Sequence, residues 1–320
     1  MLKPDIQEAL EFVGRQLSFL AQRPDFRINV ALDRIAAAGD APVKQAVATI
    51  KTGRGSLTNS GYASLFEIIQ LSKPDSTTGD IIVAYGDIRD RIEQEITPHI
   101  LSLRSSFLYF ASLLLVALIV CGIFETSVAT SLRSVFDDME HQLPELTAFM
   151  IERGARFGLF TLIAVSGILA LTGFALYKLY NDLMAFRYTS INPLWFWGGK
   201  RILAISNAYI LLAYMDLLVR AGHAPQDIET QACKLAGTEA LHNGSVLPPS
   251  IHKPLSFALT NDTYQEELAF HLKQSPTQLL TAISDFRSTF SVTLQSLLFV
   301  LIGGLVIAYY LPIFALGSMV

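Results

Sequence analysis

Charged side chains are scarce in this sequence. Only 16% of its 320 residues are Asp, Glu, Lys or Arg, while 51% are hydrophobic, which is too apolar for an ordinary soluble domain of this length. The shortage of charge points first to a membrane protein. An excess of one sign is lacking as well: the net charge of −4 offers no basic footprint for nucleic acid, so no nucleic-acid partner is expected. Cysteine is nearly absent, with Cys121 inside an apolar run and Cys233 far along the chain in a polar stretch. The two are poorly placed to bridge and read as free thiols. Residues 1–23 carry charges every few positions and contain no apolar h-region, so no secretory signal is expected and the N-terminal part should stay in the cytoplasm.

The motifs that carry chemistry are missing too. Thr52-Gly53-Arg54-Gly55-Ser56 has neither the spacing nor the lysine-hydroxyl pair of a phosphate-cradling loop, and Gly198-Gly199-Lys200-Arg201 puts arginine where a magnesium-binding hydroxyl is needed. The six histidines form no His-x-x-x-His pair and no Cys-x-x-Cys occurs, so no metal site is expected. There is no Gly-x-Ser-x-Gly elbow. The expectation is a non-enzymatic protein with no catalytic residue, cofactor or metal.

What the chain does have is long apolar runs. Ser105–Phe124, Phe157–Tyr177 and Val292–Leu311 contain no Asp, Glu, Lys or Arg, and each reaches the roughly 20 residues that cross a hydrocarbon core about 30 Å thick. Three transmembrane helices are expected. Lysine and arginine near the span ends set the orientation. Arg89, Arg91, Arg104, Lys178, Arg187, Lys273 and Arg287 flank one side, whereas the stretch from Glu125 to Arg156 holds six acids against three bases. The N-terminus is therefore expected inside, the 125–156 loop outside, the 178–291 segment inside and a 312–320 tail outside. Small residues (Ser166, Gly167, Ala170, Gly173, Gly303 and Gly304) would allow close packing between spans or subunits. Trp195 and Trp197, followed by Lys200 and Arg201, suit either an interfacial belt or a core position.

The two water-facing segments, 1–104 and 178–291, read as helices joined by short turns. Ala208, Leu211, Leu212, Met215, Leu218 and Val219 fall at spacings of three and four before Gly222, giving an apolar stripe with a glycine stop. Pro225 to Ala236 reads as the next helix, with Gly237 just past its end. In the first segment Leu10, Val13, Leu17 and Leu20 share a face, followed by a turn near 22–27 and a helix around 30–38 closed by Gly39. Thr97-Pro98 and Ser275-Pro276 each put a capping hydroxyl before a helix-starting proline. From Pro276 to Leu311 a helix would be roughly 54 Å long, enough to project from the bilayer. The parallels suggest a duplicated unit of helical bundle plus span. The fold class expected is all-α: three transmembrane helices and two duplicated cytoplasmic helical-bundle domains.

Three passages carry a resemblance. Pro193-Leu194-Trp195-Phe196-Trp197-Gly198-Gly199 leads into the helix ending Leu217-Leu218-Val219-Arg220-Ala221-Gly222 and the short helix to Gly237. Leu143-Pro144-Glu145-Leu146-Thr147 precedes the second span, and Ala308-Tyr309-Tyr310-Leu311-Pro312-Ile313-Phe314-Ala315-Leu316 closes the third. In order and in spacing to the spans, these resemble the inner-membrane platform proteins of type II secretion systems and type IV pili (the secretion F / pilus C family). The family's Gly-Glu-x-x-Gly element is missing from both helical segments, which resembles a divergent branch such as the type IVb pili.

The resemblance implies a platform in the bacterial inner membrane that couples a cytoplasmic assembly ATPase to insertion of pilin or pseudopilin subunits. It also implies a homo-oligomer working with other inner-membrane assembly proteins and the lipid bilayer. On that pattern the positions of interest are Leu218, Arg220 and Gly222 at the helix turn, Pro144 and Thr147 before the second span, and Pro312 and Phe314 after the third, as partner-contact or structural residues. The alternative from another class is a membrane subunit of a transporter, which would need polar or charged residues lining a pore.

Overall fold

The computed structural model describes residues 4–52, 62–72, 78–138, 148–149, 155–191, 199–238 and 246–317. Every regular element among them is helical: α1 (Pro4–Ala21), α2 (Ile28–Ala38), α3 (Ala41–Thr52), α4 (Ala63–Leu71), α5 (Thr78–Arg91), α6 (Thr97–Ile123), α7 (Ala129–Asp138), α8 (Ala155–Met184), α9 (Lys200–Arg220), α10 (Pro225–Ala236), α11 (Pro249–Thr260) and α12 (Tyr264–Gly317). The chain divides into two compact units. The first contains residues 1–100, 177–192 and 199–282, and so pools helices from both segments that were expected to face water. The second contains 101–176, 193–198 and 283–320.

In the first unit α1 packs on α3, α5 and α2, and α9 packs on α10 and α5. Leu10, Val13 and Leu17 of α1 are fully buried, as their shared face requires. The expected glycine stop at Gly222 is present. Its φ is +84°, the His223 N–H reaches Leu218 O at 3.1 Å and the Gly222 N–H reaches Val219 O at 3.0 Å. That pair is a Schellman motif, which satisfies carbonyls the helix end leaves open. Helix α10 spans the expected residues and ends the same way, Gly237 having φ +77°.

Among the described residues four helices are long and apolar enough to cross a membrane, where three were expected. The fourth is α9. Its apolar window is 83% buried within the protein, against 33, 28 and 22% for the windows on Thr78–Asp138, Leu162–Met184 and Tyr264–Gly304. The stripe read from the sequence understates α9, because Tyr209, Ile210, Ala213, Tyr214 and Leu217 on its other faces are buried too. A helix that is apolar all round is one surrounded on all sides.

The second unit looks different. On α8 the buried residues Leu162, Leu169, Thr172, Ala175 and Leu176 form one narrow seam, while Phe160, Ile163, Leu171 and Phe174 are exposed. Contiguous apolar exposure on this scale suits lipid rather than water. Phe107 and Phe110 interleave with Phe286 and Phe290, the Phe107–Phe290 centroids lying 4.6 Å apart. A methyl group added at Gly167, Gly173 or Gly303 would meet nothing within 4 Å. Among the described residues, these three glycines make no close helix approach.

Several boundaries moved outward. The helical run from Thr78 to Asp138 is continuous over 61 residues, with π-turns at Ile92–Ile96 and Phe124–Val128. Thr97-Pro98 therefore does not start a helix. The upstream π-turn, closed by the Thr97 N–H on Ile92 O, adjusts the backbone just before the proline. Ser275-Pro276 is internal to α12 as well, because the Ser275 hydroxyl donates back to His271 O at 2.7 Å instead of capping. Past Phe124, where a loop was expected, Thr126 donates to Gly122 O, Thr130 to Thr126 O and Ser131 to Ser127 O, and the helix runs on to Asp138. At the other end α12 continues through Pro312 to Gly317 where a tail was expected. Proline is tolerated in membrane helices whose neighbouring carbonyls find other partners.

Neither cysteine is in a disulfide, and both are buried. Burial pushes the Cys233 thiol up to about 11, with Glu229 adding to the effect. The fold thus favours the neutral thiol, and this stabilisation fades as pH rises from the ordinary thiol range toward 11. At pH 8 maleimide should label Cys233 slowly in the native protein and quickly once it is unfolded, as read by peptide mass spectrometry.

Candidate interaction site

The polar groups of the first unit converge on the segment that follows α8. Phe186 has φ +56°, a left-handed conformation that costs a non-glycine residue about 1–2 kcal/mol. It closes α8 by a Schellman motif, with the Arg187 N–H on Asp182 O at 2.8 Å and the Phe186 N–H on Leu183 O at 3.0 Å. Its surroundings hold it there. The ring lies tilted against Tyr85 at 4.9 Å and meets Tyr214 edge-on at 5.7 Å. The Tyr214 hydroxyl lies 2.7 Å from Phe186 O and 2.6 Å from Ser64 Oγ. Beyond it, the Tyr188 N–H donates to Ala236 O at 2.9 Å. Asn207 then grips Thr189 twice, accepting from its N–H at 2.8 Å and donating to its carbonyl at 3.0 Å. Phe186 and Thr189 are the buried residues of this connector, and at these two positions the bonds replace water the backbone groups have lost.

The aromatic ladder continues from Tyr85 to Tyr62, 5.4 Å between centroids, and ends on Arg89, whose guanidinium lies 4.4 Å over the Tyr62 ring. Contacts of this kind contribute about 0.5–2 kcal/mol each. Burial pushes the Tyr62 phenol above its ordinary value while Arg89 opposes that rise, so the phenol stays neutral. Arg89 Nε donates to Glu93 Oε1 at 3.0 Å and Nη2 stands 3.7 Å from Glu11 Oε2. A cleft of about 1020 Å³ opens beside it, between α1, the α2–α3 turn and the end of α5.

The residues singled out from the sequence fall as follows. Leu218 is fully buried and Gly222 forms the turn, so both shape the helix end. Arg220 is about half exposed and pairs with Asp216, Nε to Oδ2 at 2.8 Å. Together they line a smaller cleft of about 230 Å³ with Asp80, Asp87 and Arg91 of α5 and its π-turn boundary. Pro312 lies inside α12 and Phe314 is 73% exposed. Pro144, Thr147, Trp195 and Trp197 lie outside the described residues, as does the glycine-rich stretch from Gly53 to Ser56. Arg220 thus stands on a charged surface, at the same helix end as Leu218 and Gly222. Phe186, Asn207 and Arg89 went unnoticed in the sequence as site residues; only Arg89 was noted, as a flanking base. No motif marks them, since their roles come from partners distant in the chain.

Among the described residues no group of three or more His, Cys, Asp or Glu side chains is placed to hold a metal ion. No protein-family model, curated protein or solved structure matches the chain.

The Tyr62 ring packs so closely on α1 that a Cβ at Gly14 would lie 2.2 Å from it. Gly14→Ala must displace the ring and with it the Arg89 contact. The expected loss is about 1–3 kcal/mol of stability, measured by thermal unfolding in detergent. An unchanged melting temperature would contradict this packing.

Proposed function

We propose that this chain is a non-enzymatic inner-membrane platform for type IV pilus assembly or type II secretion. On this reading Ser105–Phe124, Phe157–Tyr177 and Val292–Leu311 span the bacterial inner membrane, with the N-terminus cytoplasmic and the C-terminus periplasmic, and α9 is the core of the water-facing unit. Its partners are a cytoplasmic assembly ATPase, pilin or pseudopilin subunits, other inner-membrane assembly proteins, the lipid bilayer and further copies of itself. The motifs around Pro193 to Gly237, Leu143 to Thr147 and Ala308 to Leu316 suggest it by resemblance.

The observation that supports it best is the pair of continuous helices. The Thr78–Asp138 run and α12, of 61 and 54 residues, would be roughly 92 Å and 81 Å long at 1.5 Å per residue. A bilayer core takes about 30 Å of such a length. Each helix contributes residues to both compact units. A helix that long is a stiff element able to carry a displacement imposed on the bundle into the membrane, which is what a platform driven by an ATPase requires. The open glycines Gly167, Gly173 and Gly303 leave small surfaces free for a neighbouring copy. A transporter subunit is the weaker reading, because the three spans carry no Asp, Glu, Lys, Arg or His to line a pathway.

The test is affinity purification of the detergent-solubilised protein from its native membrane, followed by mass spectrometry. The expected result is co-recovery of an assembly ATPase and a pilin-like subunit. A substrate-binding protein or transport ATPase in their place would overturn the proposal.

A further inference from the structure

Buried positions along the Thr78–Asp138 helix record how its turns are counted. Ile81, Tyr85, Ile88 and Ile92 step by four, three and four residues, and Ile100, Leu103, Phe107 and Phe110 step by three, four and three. This alternation keeps one face of an α-helix on its neighbours. Between the two series it breaks. Ile92, Ile96 and Ile100 are all buried and step by four twice, so the stretch carries one residue more than two α-helical turns take up. The π-turn at Ile92–Ile96 absorbs that residue, with the Thr97 N–H reaching back to Ile92 O.

Directly after this turn, Pro98 has no N–H to give to the helix. Prolines and π-turns are each places where helices kink, and here the two coincide. The π-turn at Phe124–Val128 absorbs a residue as well, since Phe124 and the buried Ala129 are five apart, but no proline accompanies it. The other long helix is weakened too. In α12 Pro276 gives no N–H, and the Ser275 hydroxyl donates to His271 O at 2.7 Å, a backward bond of the kind that bends helices. Pro98 and Pro276 both belong to the first compact unit, and each precedes the point where its helix passes into the second, after Ile100 and after Ala282.

We propose that the stretch from Ile92 to Pro98 is a hinge at which the first long helix bends, with Ser275-Pro276 as its counterpart in α12. The extra residue keeps the buried seam in phase on both sides, so bending there costs no apolar contact further along the helix. The lengths on either side stay stiff, and a displacement of the first unit reaches the span as a change of tilt. The inference stands on the backbone alone and does not depend on the platform reading; the membrane pull-down can fail while the hinge stands.

The test is double electron–electron resonance on the full chain in lipid nanodiscs, with Cys121→Ala and Cys233→Ala removing the native thiols. One nitroxide pair, at Asp87→Cys and Leu108→Cys, brackets the hinge, and another, at Leu101→Cys and Ile119→Cys, lies wholly within α6. All four positions are exposed. The expected result is a distance distribution across the hinge about twice as wide as the one within α6. Deleting Gln94, an exposed residue of the π-turn, leaves steps of three and four between Ile92 and Ile100. Combined with Pro98→Ala, the deletion makes an unbroken α-helix and should narrow the first distribution to the width of the second. If that variant loses the wild-type melting temperature, Pro98→Ala alone replaces it. A wild-type distribution across the hinge as narrow as the one within α6, or one that the folded variant leaves as wide as before, would overturn the proposal.

Discussion

The first unit depends on the burial of one apolar helix. Helix α9 has apolar residues on every face, and 15 of its residues are buried. A helix of that composition has two stable environments, lipid or protein. Here its polar groups show which one it occupies. Asn207 reaches the backbone of Thr189, Tyr214 meets Phe186 O and Ser64, and Asp216 pairs with Arg220. The first two tie α9 to other stretches of chain, the connector after α8 and the start of α4, while the Asp216–Arg220 pair lies within its own last turn. The left-handed Phe186 is tolerable because Tyr85 and Tyr214 fix its ring and its carbonyl together. Without α9, the connector would lose Asn207 and Tyr214, and the aromatic ladder would lose the Tyr214 ring at its Phe186 end.

The same physics explains the contrast with the second unit. Its helices bury narrow seams, such as Leu162 to Leu176 on α8 and the Phe107, Phe290 stack, and leave large apolar side chains exposed. Water would drive such surfaces together, whereas hydrocarbon leaves them as they are. Serine and threonine hydroxyls bonded to carbonyls one turn back let these helices run beyond the apolar stretch without opening the backbone. Long uninterrupted helices are the result, and the proposed mechanical role rests on them.

Much of the helical architecture was legible in local sequence. Pro225 and Gly237 bracket α10, Gly222 ends α9, and Leu10, Val13 and Leu17 mark the buried face of α1. Each signal works because the physics is local: a missing N–H, a tolerated positive φ, a period of 3.6 residues. Where local signals competed, the reading failed. The hydroxyl-proline pairs at 97–98 and 275–276 resemble helix starts, yet Ser275 bonds backward and a π-turn precedes Pro98, so both helices continue. The charge-free runs identified three helices suited to lipid; α9 is also long and apolar enough, but Lys200, Arg201, Asp216 and Arg220 near its ends kept it out of those runs. For the candidate site, Arg220 was found through the turn beside it. The Arg89 cleft was not legible, because Gly14, Tyr62 and Arg89 come from separate helices and nothing in their spacing foretells the meeting.

The central claim is that α9 is enclosed by protein while three other helices cross the membrane, and parity tests it most directly. An odd number of spans puts the two chain ends on opposite sides of the membrane, and an even number puts them on the same side. Fusions of a periplasm-active and a cytoplasm-active reporter to each end, compared in intact bacterial cells, read this out. The account predicts a cytoplasmic signal at the N-terminus and a periplasmic signal at the C-terminus; both ends on one side would mean that α9 spans the bilayer and would contradict the account.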